Sequence, residues 1–525
     1  MSRLLQCLLC LPALLPVAAA LSSFAQPSSH WQHLLQVVLP EVVGSTLWLL
    51  LGVSTAAAVL GTGLAWLTAR YRFPGLGLLH VALLLPLALP GYVLGFVFIA
   101  GFDYAGPLQS YLRETTASKE AFWQVRNAAG AGLTLVCTLY PYVYLIAYNA
   151  FRSISSETVE AAQTLGHRKV FFRIALPLAR PWILGASLLV AMETLADFGT
   201  VSLFNVDTFT TAIYKSWFGL FDLSAALQLA CALILVALLL MWAHSQTQSR
   251  GSVQQNPARP LSRLRLRGWH AWLSTFGLSS FVFIVAGLPI LTLASWSWQH
   301  MHTEWDSRYF LWLGHSLSLA LGSAGIICGA ALLLAYLNRA DQSRYSQWFS
   351  RSANLGYALP GTLIAVGIFA PMAAIEKPLA PLLGQGWVTQ SLFLIFLAYC
   401  ARFLTVAHTP IAQQMHRLSR SLDEVSRSLG VSGWRLLNRV HRPLLGRALA
   451  SAAALIVIDV IKEMPITLMT RPFGRNTLAT RVFELTAEGE YQRAALPSLT
   501  IVIAGLIPIA LLLRRSRLKT SPQAT

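Results

Sequence analysis

The chain has 525 residues, 55% of them hydrophobic and only 11% charged, with 39 Lys and Arg against 21 Asp and Glu for a net charge of +18. A water-soluble chain carries about 25% charged residues, so the deficit excludes an ordinary soluble domain. The basic residues sit in short loops between apolar runs, which argues against nucleic acid as their partner and for the anionic headgroups of a bilayer.

Arg3 precedes an apolar run from Leu4 to Leu21, read as an uncleaved first span; a cleaved signal peptide is the alternative, and either leaves His30 outside. Apolar stretches follow at about 42–69, 77–102, 129–151, 182–204 and 223–243. Each exceeds the roughly 20 residues that cross a bilayer as helix. A polar linker from Ser245 to Arg267 carries five arginines and no acid. Six more stretches lie near 271–294, 311–337, 356–375, 388–411, 448–470 and 495–513. The expectation is an all-α polytopic membrane protein of twelve transmembrane helices. It divides into a first half, 1–244, a linker, 245–268, and a second half, 269–525. Barrel strands are excluded, because the runs are too long and too evenly apolar. The six cysteines all lie in apolar runs and are expected to be buried and inert.

Lys and Arg fix the orientation. Arg70, Arg72, Arg173, the linker arginines, Arg339, Arg344, Arg427, Arg439 and Arg514 fall in alternate loops, which the positive-inside rule places in the cytoplasm.

Two of these loops, 153–181 and 413–447, are copies of each other. Glu160-Ala161-Ala162 stands before Gly166, and Glu424 before Gly430, both pairs related by an offset of 264. Pro177 and Glu193 answer Pro443 and Asp459 at an offset of 266, and Leu89-Pro90-Gly91 answers Leu359-Pro360-Gly361 at 270. Six spans per half make this a parallel repeat, unlike the inverted repeats of many secondary transporters. In the first copy Ser155 or Ser156 caps a short helix, with Glu157 and Glu160 in its first turn. In the second, Ser421-x-x-Glu424 reads as a capping box. Gly166 and Gly430 end the helices in the left-handed region, and a second short helix returns each chain to the membrane. A protruding helix with an apolar edge of Ala161, Ala162 and Leu165 suits a partner's groove.

Glu-Ala-Ala-x-x-x-Gly before the last two spans resembles the signature of binding-protein-dependent ABC-transporter permeases, once per half. The second copy departs from it, with Val425 and Ser426 in place of both alanines. The resemblance implies a type I ABC importer permease-like fold. It also implies coupling to an ATPase subunit, in two copies, through Glu160, Ala161, Ala162, Gly166, Glu424 and Gly430, and delivery of solute by a periplasmic binding protein. No lysine follows a glycine, so the phosphate-cradling loop of an ATPase is missing. The chain needs no cofactor of its own, and ATP is used by the partner.

Charges also lie inside the spans. Glu193 and Asp197 are four apart on one helix face, as are Asp459 and Glu463, with Lys462 beside them. At ~1.5 Å per residue, Glu193 and Asp459 lie about 16–18 Å into the bilayer. A charge left in lipid there costs about 2.5–3.5 kcal/mol, so all five face the bundle interior, as an ion-pair network or as the lining of a solute path. The segments METLADFGTV and KEMPITLMTRPFG look like those of the ferric-iron permeases of the ABC class, which implies ferric iron as the cargo. The same architecture with thiamine or an organophosphonate, and an ion-coupled secondary transporter, are the rival readings. A membrane enzyme finds no nucleophile–base cluster to support it. Gly91-x-x-x-Gly95 is expected to let two helices approach closely, and Pro86, Pro90 and Pro360 to break their spans. His300 and His302 are read as a solvated outward loop.

Overall fold

A computed structural model describes residues 2–25, 28, 31–117, 120, 122–165, 169–249, 261–341, 343–353 and 355–518, with backbone alone for 2, 248–249, 357, 383 and 508–518. Among them the regular structure is helical, apart from two paired parallel strands of two residues each, β1 (Tyr71–Arg72) and β2 (Leu264–Arg265). The helices used below are α1 (Ser2–Ser22), α2 (Leu39–Arg70), α3 (Gly91–Phe102), α4 (Ala128–Arg152), α5 (Ser156–Thr164), α6 (Leu176–Ala196), α7 (Gly199–Leu203), α8 (Leu223–Ser249) and α9 (Trp269–Gln299). They continue with α10 (Ser307–Ala340), α11 (Arg344–Ala353), α12 (Gly361–Leu383), α13 (Leu392–Arg417), α14 (Arg420–Ser428), α15 (Gly446–Lys462), α16 (Pro465–Thr470) and α17 (Ala495–Leu518).

Among the described residues ten helices are long and apolar enough to cross a membrane, and an eleventh span, Gly433–Leu444 with α15, is bent by 78°. The twelfth expected span is α17, whose described apolar stretch, Ala495–Ile507, is short. Four apolar stretches are broken rather than continuous. In 77–102, Pro86 and Pro90 interrupt the chain, and the helix restarts at Gly91 with Pro90 as its N-cap. Pro360 caps α12 in the same way. In 182–204 and 448–470 the helix stops at Ala196 and Lys462, and the next residues, Asp197 and Glu463, are extended, with ψ of 133° and 116°.

Contacts group the chain into two compact units that interleave the two expected halves. One comprises Met1–Leu39, Ala212–Ile234 and His302–Glu484. In it α10 packs on α13 and α15, and α1 lies along α11, α12 and α13. The approach of α1 is close: a Cβ added at Gly367 would stand 2.5 Å from the Pro16 Cα. The other comprises Pro40–Thr211, Leu235–Met301 and Leu485–Thr525, with α4 on α6 and α3 on α4 and α7. Its core holds fully buried Tyr140, Tyr144, Phe96, Phe198 and Phe204. The Tyr140 hydroxyl donates to the Leu83 carbonyl at 2.9 Å, so a buried phenol is satisfied where the proline-broken span leaves an acceptor. Exposed Leu47, Trp48, Leu51 and Val59 on α2, and Leu317, Leu321 and Ile326 on α10, are surface that suits lipid. Cys7 on α1 is exposed and Cys400 on α13 half-buried, against the expectation that all six cysteines are buried.

The repeat persists at the level of single hydrogen bonds. The Phe209 N–H donates to Thr46 Oγ1 at 3.4 Å, and the Leu478 N–H to Ser316 Oγ at 2.9 Å. The Thr208 N–H donates to Thr211 Oγ1 at 2.8 Å, and the Thr477 N–H to Thr480 Oγ1 at 2.9 Å.

Candidate functional site

The second-copy loop begins where α13 ends. Leu418 and Ser419 are extended, and the chain re-enters helix at Arg420, so the cap is Ser419, whose Oγ accepts from the Ser421 N–H at 3.2 Å. The Ser421-x-x-Glu424 box therefore does not form: Asp423 occupies the first turn and Glu424 lies beyond it, exposed. At the other end the Val431 N–H donates to the Ser426 carbonyl at 2.8 Å and the Gly430 N–H to the Arg427 carbonyl at 3.0 Å, with Gly430 at φ 76°. That is a Schellman closure, and it needs the left-handed glycine. Leu429, 76% exposed, with exposed Val425 and Trp434, gives the helix a bare apolar edge.

What holds α14 down is a pair that the sequence did not suggest. Arg339, near the end of α10, uses all five of its N–H donors here. Nε and Nη2 reach Asp423 at 2.7 and 3.2 Å, Nη1 reaches the Met415 and Leu418 carbonyls at 2.8 and 3.1 Å, and Nη2 also reaches the Ser419 carbonyl at 2.9 Å. The side chains are 9% and 12% exposed. Fully buried His441 adds Nε2 to Asp423 Oδ1 at 2.9 Å. Burial favours the neutral acid, but the hydrogen bonds from Arg339 and His441 outweigh it and hold the Asp423 carboxyl below the usual carboxylate range.

The first copy is held differently. Ser155 caps α5, accepting from the Thr158 N–H at 3.2 Å; Glu157 is in the first turn, and Glu160 lies a turn later, exposed. Ala161 is exposed, Ala162 half-buried and Leu165 78% exposed, so the expected apolar edge is present. Gly166 lies outside the described residues. At the offset that pairs the two glutamates, Asp423 corresponds to Val159, which is buried. Among the described residues no acid pairs with Arg70, the last residue of α2. Arg70 donates instead to the Ser262 carbonyl at 2.7 Å, the Ser262 N–H donates to Ser156 Oγ at 3.0 Å, and Arg152 Nη1 donates to the Leu261 carbonyl. The end of the linker, continued as β2 against β1, thus ties down α5 as Asp423 ties down α14.

Gly430→Ala tests the closure of α14. Nothing lies within 4 Å of a Cβ there, so the cost is the left-handed φ alone, about 1–2 kcal/mol. The expected outcome is faster amide exchange at Val431 with the remaining protection unchanged; wild-type exchange at Val431 would show that the turn tolerates a side chain.

The acids inside the membrane are the second candidate site. The break after α6 takes Asp197 off the helix face it was expected to share with Glu193. Asp197 caps α7 instead: Oδ2 accepts from the Thr200 and Val201 N–H groups at 3.0 and 3.1 Å, and Oδ1 from the Thr200 hydroxyl at 2.9 Å. Glu463 does the same for α16, with Oε1 accepting from the Ile466 N–H at 2.9 Å. Each carboxylate faces the start of the helix that follows a Leu-Pro-Gly. A Cβ on Gly91 would meet Thr200 Oγ1 at 2.5 Å and Asp197 Oδ1 at 3.5 Å, and one on Gly361 would meet Glu463 Oε1 at 2.9 Å. Glycine is required at both positions by this approach, and a helix N-terminus favours the negative charge. Gly95 faces Phe204 and Thr200, the close packing expected of it. Glu193, Asp459 and Lys462 are half-buried. Arg402 on α13 is the residue the sequence reading missed: its Nε lies 4.0 Å from Glu463 Oε2, and among the described residues its buried Nη1 has no hydrogen-bond partner. A search of the apolar runs for single charges would have found it. His300, which follows α9 as its C-cap, has Nδ1 3.2 Å from the Trp296 carbonyl.

The model of the family described as binding-protein-dependent transport system inner membrane component matches residues 57–250, which include α5 and the first broken span. The sulfate transport system permease protein of Salmonella typhimurium is 30% identical over 252 residues, 46% of this chain and 88% of that one. The chain belongs to this permease family. The Fe(3+)-transport system permease protein of Haemophilus influenzae is 27% identical over 486 residues, 90% of each chain. A ferric transport system permease protein of Actinobacillus pleuropneumoniae is 23% identical over 499 residues, 89% of this chain and 70% of that one. This permease is a multi-pass inner-membrane protein, and its relatives are transport subunits rather than enzymes. The half-length match to the sulfate permease fits a chain that carries two permease units in one polypeptide.

Proposed function

We propose that this permease is the membrane-spanning subunit of an ATP-driven importer that moves ferric iron from periplasm to cytoplasm. The observation that carries the reading is the alignment with an Fe(3+)-transport permease over 90% of both chains. Charge supports it: Glu193, Asp197, Asp459 and Glu463 at the two broken spans outnumber Lys462 and Arg402, and hard oxygen donors suit a ferric ion or its complex better than sulfate. Those residues are assigned to the path. Two copies of an ATPase subunit dock on α5 and α14, with Glu160, Ala161, Ala162, Gly166, Glu424 and Gly430 forming the contact, and a periplasmic binding protein delivers the cargo on the opposite face.

Uptake of radioactive iron tests this in cells that express the chain together with the ATPase subunit and periplasmic binding protein of a ferric-iron importer. Iron should accumulate, stop when ATP is depleted, and ignore excess sulfate. Sulfate accumulation instead would assign the cargo of the Salmonella relative, and iron uptake that survives ATP depletion would assign an ion-coupled carrier.

A further inference from the structure

A cavity of about 370 Å³ lies at the arginine-rich end of α10, between α10, α11 and α13. Its wall includes Asn338, Ser346, Ser350, Arg351, His408 and His416. None of them belongs to the coupling contacts or to the intramembrane acids. His408 is only 4% exposed, and among the described residues neither ring nitrogen has a hydrogen-bond partner. An imidazole carries at least one N–H, and leaving it unmatched in a buried wall is costly, so one group the cavity calls for is an acceptor. The rest of the wall agrees. Asn338 Oδ1 already accepts from Gln6 Nε2 at 3.1 Å and from Ser346 Oγ at 2.9 Å, which leaves the Asn338 amide N–H groups for the cavity. Asp341, an acid on the wall, is engaged by the Ser343 N–H at 2.9 Å and by Arg3 at 3.8 Å. Arg351 is exposed at the rim.

The surroundings say where an acceptor would come from. α11 turns Arg344, Tyr345, Trp348 and Arg351 outward while burying Ser346, Ser352 and Ala353. Aromatic and arginine side chains on one face of a short amphipathic helix are the chemistry of the headgroup layer. The feature also recurs. In the first half a cavity of about 470 Å³ is lined by Thr68, Arg72, His80, Tyr148 and Arg263, again between the ends of the second and fourth spans. Thr68 and His80 correspond to Asn338 and Ser350 at the offset of 270 that relates the two Leu-Pro-Gly motifs.

We propose that the cavity between α10, α11 and α13 binds a phosphate group, carried by an anionic phospholipid headgroup or by free phosphate. Arg339 forms part of its wall, so the occupant lies against the residue that holds α14.

The test uses the full chain in detergent micelles and two probes measured separately: labelled inorganic phosphate and labelled phosphatidylglycerol, with phosphatidylcholine as background. One saturable site is expected. Arg351→Gln should weaken it about tenfold or more, the loss of a charge-assisted hydrogen bond, whereas Arg344→Gln, outside the wall, should leave it unchanged. His408→Leu should weaken binding and raise the thermal midpoint of the ligand-free protein, because it removes an unmatched polar group. Saturation by phosphatidylglycerol alone assigns the lipid, and saturation by phosphate alone assigns the free anion. No saturable binding of either probe, wild-type affinity in Arg351→Gln or His408→Leu, equal weakening by Arg344→Gln, or an experimental structure with only ordered water in the cavity would overturn the proposal.

Discussion

Arg339→Met is expected to cost about 3–5 kcal/mol and to abolish uptake, because it leaves Asp423 buried with its main counter-charge removed. It also strips the donors from the carbonyls of Met415, Leu418 and Ser419. Asp423→Val is expected to cost less, about 1–3 kcal/mol. Arg339 then keeps its three carbonyl partners, and valine is the residue that stands at the matching position of α5. The double variant should be more stable than Arg339→Met alone, since the orphaned carboxylate is gone, and that sign of non-additivity is specific to a buried ion pair. Thermal unfolding of the full-length protein reads the stability, and amide exchange of α14 reads the local effect. Strict additivity would show that the pair is exchanged for water contacts and does not clamp the helix.

The same pair sets a pH dependence. The folded Asp423 carboxyl titrates below its unfolded value, so its contribution is complete above the unfolded carboxylate pKa of about 3.9 and is lost as pH falls through the lower folded value. Protection of α14 should therefore survive mild acid and fail only below about pH 3.9. In Asp423→Val that acid-dependent step should vanish.

The parts of this molecule that were legible in the sequence are those written in periodicity or in copies. Apolar run lengths marked the spans, and the doubled Glu-to-Gly spacing marked α5 and α14. Prolines marked the breaks before Gly91 and Gly361, because a residue without an N–H cannot continue a helix. The breaks at Asp197 and Glu463 were harder. Pro465 offered a signal in the second copy, but the first has no proline there and ends because a carboxylate caps the following turn. Arg339 and Asp423 are separated by 84 positions, and nothing local couples them. β2 is two residues long, too short for alternation to register, so the linker arginines read only as charge when Arg263 in fact donates to the Tyr148 hydroxyl at 2.8 Å. The packing of α1 on α12 is set by Gly367 against Pro16, a close approach of small surfaces that hydropathy does not report.

Asp197→Asn should fold as the wild type does and reduce iron uptake by about tenfold or more, because asparagine caps a helix nearly as well as aspartate but carries no charge. Shape is kept and electrostatics alone is changed, which a truncation to alanine cannot do: Asp197→Ala would also remove the cap of α7, at about 0.5–2 kcal/mol. Glu463→Gln is the matching change in the second half, with a different expected result. Its amide oxygen can still accept from the Ile466 N–H, but Arg402, 4.0 Å away, loses its counter-charge in a low-dielectric setting. Glu463→Gln should therefore lose both stability and uptake, and Arg402→Met combined with it should restore the stability without restoring the uptake. Glu193→Ala, at a half-buried position within α6, should still insert and lose uptake. Wild-type uptake by Asp197→Asn would make that carboxylate a helix cap alone and remove it from the path. Wild-type uptake by the Glu463→Gln/Arg402→Met pair would do the same for the second half, leaving Glu193 and Asp459 as the acids that meet the cargo.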